Sequence, residues 1–161
     1  MKVITLIICA VVCCNSGCSD VGGFPPSAIV DRIEDNNIAV VELCDKDAGL
    51  YKMIDIPAEE INGIITEGTV IEVEKAVGKF YGGYKAKNSE GKTETCYQFK
   101  SDDDMVWWFL TTEEIGHTPN LSDKYTIYFS QNGTKECDCP PEYDCDCFLY
   151  DDIFLSIELF R

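Results

Sequence analysis

Histidine is almost absent: His117 stands alone among 161 residues. Chemistry that needs two imidazoles, such as a His-Glu-x-x-His zinc site, is therefore excluded. A Gly-x-Ser-x-Gly elbow, a dinucleotide glycine fingerprint and a phosphate loop are missing too. Positive charge is scarce, with 13 Lys and Arg against 29 Asp and Glu and a net charge of −16. That balance argues against DNA or RNA as a partner, because phosphate binding is built from clustered Lys and Arg. No apolar run is long enough to span a bilayer. What is plentiful is apolar and aromatic: 45% hydrophobic residues and 11% Phe, Trp and Tyr. Wholesale disorder is excluded on that count, and the length suits one medium domain or two small ones.

The N-terminus carries an export pattern. Lys2 supplies a minimal positive start, and residues 3–12 form an apolar stretch of signal-peptide length. Ser16-Gly17-Cys18 then resembles the bacterial lipoprotein box, in which a small residue precedes the cysteine that is lipidated. Asn15 departs from that pattern, which has an aliphatic residue there. The expectation is a signal peptide over 1–17, lipidation of Cys18, and a Gly/Pro-rich tether over 18–27 leading to an envelope membrane surface. Plain secretion with cleavage near Gly17, or a buried apolar segment of a cytosolic chain, are the alternatives.

Strand patterning begins at residue 28. Residues 28–34 alternate, Asp35-Asn36-Asn37 is a turn signal, and residues 38–43 are β-branched and apolar, so the pair reads as a hairpin. A second turn at 45–49 leads to a strand over 50–56 stopped by Pro57, then a single helical turn near 58–61. Residues 69–74 alternate strictly and close the unit. Four short strands in this span predict a small SH3-like or OB-like β-barrel over 28–75.

Ala28-Ile29-Val30-Asp31-Arg32-Ile33-Glu34, Ala39-Val40-Val41, Ile56-Pro57 and Glu67-Gly68-Thr69-Val70-Ile71 together resemble the bacterial domain of unknown function family 3006. The resemblance covers about residues 28–75 and implies fold and bacterial origin, with no activity to carry over. Cys44 and the long turn at 45–49 depart from the family pattern. Asp31 and Arg32 read as a surface ion pair.

Residues 75–100 hold six lysines against Glu90 and Glu94, broken by Gly78, Gly82, Gly83 and Gly91, with Phe80, Tyr81 and Tyr84 between them. They read as a basic Gly-rich connector over 76–95 with a hairpin turning at Asn88-Ser89-Glu90-Gly91; a basic aromatic patch for anionic polymer or lipid headgroups is the other reading. Residues 96–161 read as a second, acidic, antiparallel β-rich unit. Its strands are expected at 96–100, 105–110 and 125–129, with a turn at 131–134. Residues 148–150 and 153–160 close the chain as strand or as a short terminal helix. Thr111 and Glu114 form a capping box that starts one short helix, and Gly116 ends it. His117 beyond that end reads as a surface or capping residue. Asp102-Asp103-Asp104 and Asp151-Asp152 lack calcium-loop spacing and read as solvated turns.

Cysteine carries the sharpest pattern. Cys137, Cys139, Cys145 and Cys147 are spaced symmetrically about Glu142. In a hairpin with its loop at 140–144, Cys137 faces Cys147 and Cys139 faces Cys145, and the strand period of two sets all four on one face. Two disulfides suit an exported chain. A four-thiolate zinc or copper site is the second reading, and free buried thiols the third. Cys44 and Cys96 are further disulfide candidates, paired with each other or buried singly. Charge divides along the chain: residues 20–74 carry 3 basic and 13 acidic residues, and residues 101–161 carry 3 and 14. The expectation is a non-catalytic, membrane-anchored bacterial lipoprotein that binds or scaffolds a protein partner. The alternative is a metal-binding protein using the cysteine cluster.

Overall fold

A computed structural model describes residues 23–61, 63–88, 90–104, 107–136 and 148–161. The chain is mainly β, in two antiparallel sheets with one short helix, as the residue pattern predicts. The first sheet has the order β3-β2-β1-β4, from β1 (Ser27–Ile33), β2 (Ile38–Asp45), β3 (Leu50–Pro57) and β4 (Val70–Glu72). The second has the order β7-β6-β5-β8-β9, from β5 (Glu74–Lys87), β6 (Thr93–Ser101), β7 (Trp107–Thr111), β8 (Lys124–Glu136) and β9 (Phe148–Leu159). Helix α1 (Thr112–Ile115) follows β7, and a single 3-10 turn, Ala58–Glu60, follows β3.

Period-two burial builds the first sheet. Ala39, Val41 and Leu43 on β2 are buried, as are Ala28 and Val30 on β1, and their neighbours are more exposed except Val40, which is buried as well. The four strands stand where the alternation places them. They do not close on one another: their inner face shares one core with Tyr128 of β8 and Ile153 and Leu155 of β9.

The second sheet curls. Trp108 on β7 and Phe129 on β8 lie three strands apart in the order, yet their ring centroids are 4.2 Å apart. A flat sheet would separate them by about 14 Å at the usual strand spacing. The concave side is filled by Phe80, Phe99, Leu110, Tyr125, Ile127 and Phe129. Phe80 meets Phe99 and Tyr125 edge-on, the favoured geometry for aromatic quadrupoles. Helix α1 touches β6, β7 and β9 and bridges the opening of the curl. Its expected capping box forms, with the Thr111 hydroxyl accepting from the Glu114 N–H and the Glu114 carboxylate accepting from the Thr111 N–H. Gly116 ends it at a φ of 70°, where a side chain would be strained.

Two segments differ from their sequence reading. Residues 76–95 form most of β5 and the start of β6 rather than a connector, and the hairpin between them turns where expected, with the Gly91 N–H donating to the Asn88 carbonyl. Gly78 is there for contact, not flexibility: a Cβ would lie 2.0 Å from the Lys100 carbonyl oxygen. The predicted turn at 131–134 is strand, because β8 runs through it and a register shift between Gln131 and Thr134 takes up the irregularity.

Candidate functional site

The most concentrated polar chemistry among the described residues sits where the two sheets meet. Asp45 ends β2 in phase with Ala39, Val41 and Leu43, so the strand period turns its carboxylate inward, and it is 0% exposed. One oxygen accepts from the backbone N–H groups of Asp47 at 3.1 Å and Ala48 at 3.2 Å, shaping the β2–β3 turn. The other accepts from Lys75 Nζ at 2.7 Å and the Tyr128 hydroxyl at 3.0 Å. Lys75 on β5 and Tyr128 on β8 are register partners, so the second sheet presents both donors side by side. A second polar bridge joins the sheets nearby, where Lys52 Nζ on β3 donates to Ser156 Oγ at 3.0 Å and Glu158 Oε1 at 3.2 Å on β9.

The electrostatics follow from the geometry. Burial alone would push the Asp45 carboxyl up. The Lys75 ammonium, the Tyr128 hydroxyl and the Ala48 N–H together outweigh it and hold the pKa below the usual carboxylate value. Burial raises the Tyr128 phenol, and its bond to the Asp45 anion raises it further. The network opens at one side into a cavity of about 650 Å³, lined by Asp47, Leu50, Lys75, Thr126, Tyr128 and Glu158 among others. That volume lies in the range of small-ligand clefts. Four donors already occupy the Asp45 carboxylate, so its lone pairs hold the sheets together and are not free to take a proton from a ligand.

The sequence reading found none of these three residues. Asp45 opens a turn in the sequence pattern, yet counting by two from Ala39 places it on the buried face. Lys75 and Tyr128 carry no local signal for the contact, being 30 and 83 residues away in sequence.

The residues the sequence did single out fall into two groups. Cys18, Cys137, Cys139, Cys145 and Cys147 lie outside the described residues. Cys44 and Cys96 are described: both are half-buried free thiols, one in each sheet, Cys44 opposite Ser27 and Tyr51 and Cys96 opposite Tyr84 and Thr111. Asp31 and Arg32 form an exposed ion pair at 2.9 Å, and Arg32 reaches Glu34 at 3.1 Å. His117 is exposed past α1. In the acidic turn after β6, Asp102 pairs with Lys124, Asp104 with Lys100, and Asp103 accepts from the Ser101 hydroxyl. Among the described residues, no group of three His, Cys, Asp or Glu is placed to hold a metal ion. No described helix is long and apolar enough to cross a membrane.

Two sheet faces carry groups of exposed apolar side chains. On the outside of the first sheet, Val70, Ile29 and Met53 lie in one cross-strand row through Glu42, and Tyr51 in the next. On the convex side of the second sheet, Tyr81, Tyr84 and Phe109 are exposed, with Tyr84 and Phe109 in edge contact at 6.2 Å. No family model, no curated protein and no solved structure matches the chain.

Proposed function

We propose that this chain is a non-catalytic binding or scaffolding module, exported by a bacterium and held at an envelope membrane through a lipidated Cys18. The observation that carries the binding reading is the contrast between the Asp45 network and the two exposed faces. The ionisable groups at the sheet junction are spent on one another, while large aromatic and apolar side chains stand in solvent on the outer sheet surfaces. Exposed Tyr and Phe on a rigid sheet offer contact area at little entropic cost, as protein interfaces use them. The export reading rests on the apolar core of the leader and on Ser16-Gly17-Cys18. The likeness to the bacterial domain of unknown function family 3006 is part of the same proposal and rests on the residues of 28–75 alone.

For the cysteine cluster the proposal is two cross-strand disulfides. The flanks support it: Thr134 pairs with Tyr150, Lys135 with Leu149 and Glu136 with Phe148. The proposal is that this register continues through the cluster, with Cys137 against Cys147 and Cys139 against Cys145. It also suits four thiolates on one zinc or copper ion, and a metal-binding protein remains the second reading.

Fractionation of cells expressing the full chain tests the anchor. The wild type is expected in the membrane fraction, and Cys18→Ser almost wholly in the soluble fraction, because each lost acyl methylene removes about 0.8 kcal/mol of membrane affinity. Equal partitioning of the two would overturn the anchor.

A further inference from the structure

The convex side of the second sheet is covered over only part of its area. Tyr128, Ile153 and Leu155 on that side lie under the first sheet. Beyond Tyr128 the same side continues into a row of three directly opposed lysines on adjacent strands: Lys100 on β6, Lys79 on β5 and Lys124 on β8. Like charges in register oppose one another. Asp104 and Asp102 pair with the outer two. Lys79 in the middle is exposed and has no carboxylate partner among the described residues. Next to this row stand Tyr81, 70% exposed, Phe109, 56%, and Tyr84, 50%.

The outer face of the first sheet has the opposite character. Glu72, Glu42, Asp31 and Asp55 stand there with Arg32 as the one cation among its outward residues. Between them are Val70, 70% exposed, Tyr51, 65%, and Met53. So one chain carries a lysine-aromatic sheet face and an acidic-apolar sheet face, both without a partner in the described structure. The fold already joins these chemistries once. Within the chain, a lysine on the convex side of the second sheet, Lys75, bonds an acid of the first sheet, Asp45.

We propose that the acidic-apolar face of β1 to β4 in one copy docks on the uncovered lysine-aromatic face of β5 to β7 in another, so that the chain self-associates head to tail. The two faces differ, so the contact is heterologous, and each added copy leaves a free face at either end. Each face spans three or four strands, roughly 15–20 Å across, which belongs with small, transient interfaces. Association is therefore concentration-dependent, and it weakens with salt because the exposed charges are screened beyond about 8 Å at physiological ionic strength. This inference goes beyond the anchored-module reading and holds whether or not Cys18 is lipidated.

Sedimentation velocity of the full chain in solution, over a wide range of concentration, tests it. The wild type is expected to gain mass with concentration at low salt and to lose that gain at high salt. Lys79→Glu and Glu72→Lys, both at exposed strand positions, are each expected to stay monomeric with wild-type melting curves. An equimolar mixture of the two is expected to regain association, since each variant keeps the face the other has lost. A wild type that is monomeric throughout overturns the proposal. So does association that survives both substitutions, or a mixture that fails to associate. A monomeric chain that binds phosphatidylglycerol vesicles through Lys79 would reassign the lysine face to a lipid surface, and also overturns it.

Discussion

Asp45→Ala is expected to lower stability by about 2–4 kcal/mol, because the buried Tyr128 hydroxyl and two turn N–H groups lose their acceptor, while Lys75, 37% exposed, can turn to solvent. It strips the Tyr128 hydroxyl of the carboxylate oxygen that accepts from it, removes the anion that draws Lys75 across the sheet junction, and leaves two turn N–H groups without their acceptor. For a chain of this size the loss corresponds to a fall in Tm of about 4–16 °C. Tyr128→Phe removes only one donor and is expected to cost about 1 kcal/mol. Asp31→Ala, in an exposed ion pair, is expected to change stability by less than about 0.5 kcal/mol. The pH dependence has a definite sign. Asp45 has a folded pKa below its unfolded value of about 3.9. Its contribution is present above that unfolded value and is lost as pH falls through the folded one. Thermal melts of wild type and Asp45→Ala should thus differ fully near neutrality and converge in acid. A constant gap down to acid pH would contradict the network as described.

Gly78→Ala is the second large effect. Its Cβ would meet the Lys100 carbonyl oxygen at 2.0 Å and the Ser101 Cα at 2.7 Å, both backbone atoms that no rotamer change can move. Relief requires β5 and β6 to separate at Gly78↔Ser101, where Ser101 is buried. The expected cost is about 3 kcal/mol, at the upper end for overpacking. Gly82 is four residues along the same strand, and nothing lies within 4 Å of a Cβ built there. Gly82→Ala is therefore expected to stay within about 0.5 kcal/mol of wild type. Denaturant melts of the two variants separate a packing glycine from a tolerant one. Equal effects would contradict the close approach.

The two glycines show where sequence reading runs out. Alternation placed β1, β2 and β3 close to their observed bounds, and the capping box located α1 to the residue, because both signals are local. Gly78, Gly82 and Gly83 looked alike as linker punctuation, yet an isolated glycine in a strand also marks a close backbone approach. The lysines at 75 and 79 around it were the missed clue, since they keep the period of a half-exposed strand. Asp45 was legible in principle, by counting two from Leu43, but its turn-forming neighbours dominated the reading. Its partners were not legible at all: which strand of the second sheet crosses β2 is set by tertiary packing, and nothing near Lys75 or Tyr128 encodes it. The exposed rows arise in the same way, since Lys79, Lys100 and Lys124 become neighbours only through sheet order.

The most direct measurement is the intact mass of the native protein, isolated from cells without reductant, with metal analysis on the same sample. The account predicts a chain that begins at Cys18 and carries acyl groups. It also predicts a mass two hydrogens lower for each of two bridges in the cluster of Cys137, Cys139, Cys145 and Cys147, and no bound metal. A lipid-free chain beginning at Met1, with reduced thiols and one equivalent of zinc or copper, would contradict it and make the cysteine cluster the functional site.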